Sequence, residues 1–201
     1  MEQLNHLLFT LINATPTSNF KVIIFAIILA RYVIFIIPLS LIAIWLWGTA
    51  NNIVLQRQLV VKTATALVFS MLFSIFISQL LPHKRPFVED FGYIFLVHVP
   101  DSSFPSNHGS AIFTFALAFL FWHRLWSGMS LIIIALAIAW SRIYLGIHWP
   151  LDMLGAFFIG LIGCLLSQVI WYLLGNCITQ YLFNIYHLYF AFPIRKGWIK
   201  V

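Results

Sequence analysis

Five apolar stretches suited to a bilayer core, which takes ~20 helical residues, constrain this chain more than any other feature. They lie near Lys21–Trp47, Leu59–Leu81, Ala111–Trp122, Ser130–Gly146 and Leu151–Leu174. The third reaches spanning length only if its helix begins near Ser106. The first carries Arg31 and Pro38, so a tilted, kinked or partly interfacial course is expected there. Ahead of it, Leu4, Leu7, Leu8 and Leu11 recur at helical spacing beside Asn5 and His6. That pattern predicts a short amphipathic helix lying on the membrane surface. Composition agrees: 62% of residues are hydrophobic and 8% charged, against ~45–50% and ~25% in soluble proteins. A soluble domain, a disordered chain and a nucleic-acid binder are excluded. No secretory signal is expected, because Glu2 and no basic cluster precede the apolar stretch. Cys164 and Cys177 would stand ~20 Å apart along one helix, too far to bridge. The reading is an all-α integral membrane protein, a single domain over residues 1–201, with about five transmembrane helices plus the N-terminal amphipathic one.

Charge sets the orientation. With five spans, one face holds Arg57, Lys62, Arg124, Arg195, Lys196 and Lys200, and no acid. The opposite face holds Glu2, Glu89, Asp90, Asp101 and Asp152, every acid in the chain. The positive-inside rule then puts the acid-bearing face outside the cytoplasm. In a bacterium this means the inner membrane, with that face toward the periplasm or exterior.

Three polar clusters stand at span ends on this outward face: His83-Lys84-Arg85-Pro86, Pro105-Ser106-Asn107-His108-Gly109, and Ser141-Arg142 through His148 to Asp152. Pro105 and Ser106 before an apolar run mark a helix N-terminus with Ser106 as its cap. The free amides and positive dipole of such an end suit a phosphate, and His108 in the first turn is placed to give it a proton. Pro150 suits the first turn of the fifth span. His148 just before it can donate one ring nitrogen to Asp152 and present the other outward. Arg142 and Arg85 have the planar guanidinium that fits a phosphoryl group.

In order and spacing, the clusters resemble the tripartite signature of the type 2 phosphatidic acid phosphatase superfamily. Ser141-Arg142-x5-His148-x3-Asp152 matches it fully. Pro105-Ser106-Asn107-His108 matches except that Asn107 stands for Gly, and Arg85-Pro86 is kept while Ser78 stands where a Lys is expected. Lys84, beside Arg85, is the first candidate to replace that charge and Arg31 the second. The motif region is 78–152. The stretches LFTLINATP, RPFVE, FALAFLFWHRLWSG and FPIRKGW extend the similarity over nearly the whole chain, to bacterial undecaprenyl-diphosphate phosphatases of the bacitracin-resistance type.

The resemblance implies a phosphatase that needs no metal or cofactor, acting on a membrane lipid, a polyprenyl diphosphate, through a phosphohistidine. His148 would be the nucleophile, Asp152 its orienting carboxylate and His108 the general acid. Arg85, Ser106, Asn107, Arg142 and Lys84 would bind phosphate. The alternatives are a lipid phosphotransferase, a phosphatase for phosphatidate or phosphatidylglycerol phosphate, and a transporter lined by Arg and His. A transporter predicts polar residues at mid-span, where this sequence is nearly bare apart from Arg31.

Overall fold

The computed structural model describes residues 2–47 and 52–196, and Lys200 of the basic tail lies outside them. Its helices are α1 (Glu2–Ile12), α2 (Phe20–Arg31), α3 (Ile36–Trp47), α4 (Ile53–Leu80), α5 (Asn107–Trp122), α6 (Leu125–Tyr144), α7 (Pro150–Tyr189) and α8 (Ala191–Arg195). Single 3-10 turns occur at Val33–Phe35 and Pro86–Val88. Among the described residues, four stretches are long and apolar enough to cross a membrane: Phe20–Trp47, Ile53–Leu80, Leu125–Tyr144 and Pro150–Tyr186. The protein is a multi-pass membrane protein.

Helix α5, the third expected stretch, is 16 residues or ~24 Å, below the length of the other four, and sits centrally against α4, α6 and α7. It begins at Asn107 rather than Ala111 because Ser106 caps it, its Oγ accepting the Gly109 N–H at 3.3 Å. Hydropathy alone does not see that polar first turn. Between α4 and α5 the glue is hydroxyl: Thr114 Oγ1 donates to Ser70 Oγ at 2.7 Å, and Ser74 Oγ to Asn107 Oδ1 at 2.7 Å. Among apolar surroundings such bonds and small side chains hold helices together where hydrophobicity gives no preference. Gly160 and Gly163 supply the small residues. A Cβ at Gly163 would lie 2.7 Å from the Ala66 carbonyl oxygen, and one at Gly160 2.9 Å from the Thr114 nitrogen. Helix α7 can therefore close on both α4 and α5.

The first apolar stretch is two helices. Pro38 has no N–H to give the Ile34 carbonyl, so a continuous helix fails there and the Val33–Phe35 turn takes its place. Helix α2 buries Ile23, Ala26 and Ala30 against Phe95, Leu96, Leu145 and Ile147, which belong to the loops at one end of the bundle. Helix α3 instead packs Ile37, Leu41 and Ile44 into the main core. The kink expected from Pro38 has this physical form.

Helix α1 has the amphipathic form expected of it. The leucine stripe does not dock on the protein: Leu4, Leu7 and Leu11 are exposed, while Asn5 and Phe9 are buried. Asn5 Oδ1 accepts the Leu151 N–H at 3.1 Å, and the His6 ring stacks on Phe91 at 4.5 Å. The polar side faces the protein because its groups find partners there, and the leucines face outward, as a helix at a lipid boundary requires.

Helix α7 runs 40 residues, ~60 Å, well past the expected end at Leu174. At the end of α4 away from the site, Arg57 is buried over the rings of Tyr186, Phe183 and Trp45, 4.1–5.5 Å from their centroids. This aromatic cage joins α3, α4 and α7.

Candidate active site

The end of α6, the start of α5, the start of α7 and the loop 81–106 meet at one point. Gly146 turns the chain from α6 toward His148 with φ +77°, and any Cβ there would collide with the Tyr93 carbonyl. The loop is pinned by Trp149, fully buried, whose indole N–H donates to the Lys84 carbonyl at 2.9 Å. Tyr93 N–H and carbonyl both engage Asn13, and Phe95 N–H donates to the Leu145 carbonyl at 3.0 Å. The loop is thus laid over the helix ends by specific bonds.

His148 lies at the centre and is 1% exposed. Its Nδ1 is 3.2 Å from Asp152 Oδ2. The same carboxylate oxygen accepts the Trp149 N–H at 2.8 Å and the Ser103 hydroxyl. A carboxylate oxygen only accepts, so Nδ1 carries the proton and Nε2 keeps its lone pair. Around Nε2 stand Arg85 Nη1 at 3.0 Å, Arg142 Nη2 at 3.3 Å and Ser106 Oγ at 3.3 Å. Burial first, then the two guanidiniums, hold the His148 imidazole well below the usual histidine range, so it is neutral.

Each guanidinium has its own support. Arg85 pairs with Asp101, Nη2 to Oδ1 at 2.8 Å and Nε to Oδ1 at 2.9 Å, and donates to the Ile147 carbonyl at 3.1 Å. Arg142 is 2% exposed; Nη1 donates to the Ala30 carbonyl at 3.3 Å and Nη2 to His98 Nε2 at 3.4 Å. Its Nε is buried with no acceptor, an N–H in want of an oxygen. Beside it a cavity of about 600 Å³ opens, lined by the polar Arg31, His98 and His108 and the apolar Phe95, Leu96 and Val97.

The structure therefore brings His148, Asp152, Arg85, Arg142 and Ser106 into one bonded cluster and puts His108 on the adjoining cavity. Asn107 turns its side chain to Ser74 and leaves the first-turn amides of α5 for the site. The Lys84 side chain is exposed and lines a different cleft with Pro82 and Pro100, contributing here only its carbonyl to Trp149. Arg31, the second candidate for the missing charge, lines the cavity itself. Sequence reasoning missed Ser103, Asp101 and His98. All three lie in an aperiodic loop, and only the run of polar residues ahead of Pro105 singled that loop out.

A neutral imidazole nitrogen ringed by donors for an anion is what phosphoryl transfer asks of a protein, and here it stands at the end of a membrane bundle. The class is that of membrane-bound phosphatases. The chain belongs to the PAP2 superfamily, whose sequence model matches residues 58–178. It is 54% identical to "Putative undecaprenyl-diphosphatase YbjG" of Escherichia coli, over 100% of this chain and 99% of that protein. It is 28% identical to "Undecaprenyl-diphosphatase BcrC" of Bacillus subtilis, over 79% of this chain and 80% of the relative. Among solved structures it resembles LpxE of Aquifex aeolicus, with a TM-score of 0.63 and 28% identity over 82% of this chain and 94% of that one. The fold is also that of a PAP2-type phosphatidylglycerolphosphate phosphatase from Bacillus subtilis, with a TM-score of 0.62 and 19% identity over 84% and 85% of the two chains.

Proposed function

We propose that this protein removes the terminal phosphate of undecaprenyl diphosphate, returning undecaprenyl phosphate to peptidoglycan synthesis and, by drawing down the diphosphate, conferring resistance to bacitracin. The observation that carries the chemistry is the His148 Nε2 lone pair among three donors at 3.0–3.3 Å. The names of the relatives carry the choice of lipid.

In this reading Nε2 attacks the terminal phosphorus in line. A nitrogen–phosphorus bond forms, and the bond from phosphorus to the bridging oxygen breaks, its electron pair leaving with the lipid monophosphate. His108 protonates that oxygen, and the charge of the incoming phosphate favours the imidazolium from which the proton comes. Arg85, Arg142, the Ser106 hydroxyl and the amides of Asn107 and His108 hold the other oxygens as charge shifts. Asp152 keeps the proton on Nδ1 and stabilises the positive ring. Water then attacks the phosphohistidine with His108 as base, releasing inorganic phosphate. The segregation of acids and bases supports a site on the outer face of the inner membrane, where the diphosphate reaches out while the polyprenyl tail stays in lipid.

Phosphate release by the purified protein is to be measured with EDTA present, from undecaprenyl diphosphate, phosphatidate and phosphatidylglycerol phosphate. The expected order puts the diphosphate first; preference for either monophosphate ester overturns the substrate. Acid quenching during turnover should trap acid-labile phosphate on the protein, absent from His148→Ala. With Cys164 and Cys177 replaced by Ala, an impermeant thiol reagent outside the cell should label a Cys at Ser102 and spare one at Arg124. The reverse pattern overturns the orientation.

A further inference from the structure

On the reading that His148 attacks the outer phosphate of a lipid diphosphate, we propose that Arg31 binds the inner, lipid-linked phosphate and so makes the enzyme prefer diphosphates to monophosphates. Arg31 is the last residue of α2, and its guanidinium makes no hydrogen bond or ion pair with any described residue. Its one neighbouring group of note is the Tyr32 ring, 5.9 Å from the guanidinium carbon. Arg31 is exposed at the site end of α2, so its guanidinium is open to a ligand.

Its position selects the ligand. Arg31 shares a cavity of about 600 Å³ with Arg142 and His108, and no acidic residue lines that cavity. The carbonyl of Ala30, one residue before it, accepts from Arg142 Nη1 at 3.3 Å, which ties the end of α2 to the phosphate cluster. In-line attack by Nε2 drives the leaving group away from His148, and the cavity that His108 and Arg31 line adjoins the cluster through Arg142. Two guanidiniums facing one acid-free space, one of them with a buried, unpaired Nε–H, form a receptacle for a second phosphate. Phe95, Leu96 and Val97, which also line the cavity, suit the first isoprene units.

The family's Lys position does not supply this charge. Ser78 stands there, with its hydroxyl turned back to the Ile75 carbonyl at 2.8 Å. Lys84 is on another cleft. Arg31 is the cation left over, and it meets the substrate one phosphate farther along.

The test compares farnesyl diphosphate with farnesyl monophosphate, which share a tail and differ by one phosphate. In Arg31→Ala, kcat/KM for the diphosphate should fall about tenfold or more, the loss of a charge-assisted contact, while the monophosphate stays within about twofold. Arg31→Lys should recover part of the loss, because the charge returns without the fork. An equal fall for both substrates overturns the proposal, since Arg31 would then serve the attacked phosphate or the fold. An unchanged ratio in an active diphosphatase overturns the role of Arg31 alone. Wild-type protein that hydrolyses only the monophosphate overturns the proposed substrate and this inference with it.

Discussion

Asp152→Asn should cost this enzyme far less than the same exchange costs a triad whose histidine loses its tautomer. Where the new amide presents its NH2 to the imidazole, the tautomer is wrong and the rate drops by ~10⁴. Here three donors converge on one oxygen: the Trp149 N–H at 2.8 Å, His148 Nδ1 at 3.2 Å and the Ser103 hydroxyl. The Trp149 N–H belongs to the backbone at the head of α7 and cannot turn away, so an NH2 in that place would meet a fixed donor. The amide oxygen must take it, and His148 keeps its proton on Nδ1. What is lost is charge. Charge-assisted bonds are about twice as strong as neutral ones, so the imidazolium side of the reaction loses ~2 kcal/mol, about 30-fold in kcat at 1.36 kcal/mol per decade. Asp152→Ala frees the tautomer and strands the Trp149 and Ser103 donors, and should fall by a further factor of about 100. The assay is single-turnover phosphate release by purified variants at saturating substrate. A 10⁴-fold loss in Asp152→Asn would refute the locked-oxygen argument; no loss would show that the carboxylate charge plays no part in the step.

Arg142→Ala removes a buried guanidinium that bonds His148, His98 and the Ala30 carbonyl, and kcat should fall about 100- to 1,000-fold; turnover near wild type would leave Arg142 a purely structural role. Burial and two guanidiniums depress the His148 pKa below 6.5, so the neutral, attacking form persists as pH falls, and the acid limb of kcat/KM set by this group should lie below 6.5; a limb at or above that value would mean the nucleophile is not so held. Gly163→Ala sets a Cβ 2.7 Å from the Ala66 carbonyl oxygen, a backbone atom with little room to yield, and overpacking of this kind costs ~1–3 kcal/mol. Thermal unfolding in detergent should show a lower Tm, and an unchanged Tm would refute the close α4–α7 approach.

What could be read from the sequence follows how locally each feature is encoded. Pro105 and Ser106 announce the start of α5 because a cap acts within its own turn. His148 and Asp152, four apart across the head of a helix, can meet through that helix alone. Arg142 and Arg85 were legible as charges at span ends, but their alignment on Nε2 depends on partners far along the chain, Asp101 and His98 among them. Those two and Ser103 sit in a loop without periodicity, where nothing in the residue order says which hydroxyl faces inward. The outward face of α1 was legible in its leucine stripe, but the partners of its polar side were not. A leucine stripe reads as a docking face in water, whereas in lipid the leucines are at home outside and it is Asn5 and His6 that need the protein.

The seating of α1 has a practical consequence. Asn5 holds the Leu151 N–H, next in sequence to Asp152, and His6 lies 4.9 Å from the ring of Trp149, whose own N–H fixes the carboxylate. A helix with its leucines in the lipid boundary is thereby fastened to the turn that aims the nucleophile. A bulky fusion placed just before Glu2, or a detergent that strips the boundary layer from Leu4, Leu7 and Leu11, pulls on that turn first, and turnover should fail before the bundle does. Affinity handles belong at the far end of the chain, and kinetic comparisons between lipid environments will register the grip of this small helix as much as the supply of substrate.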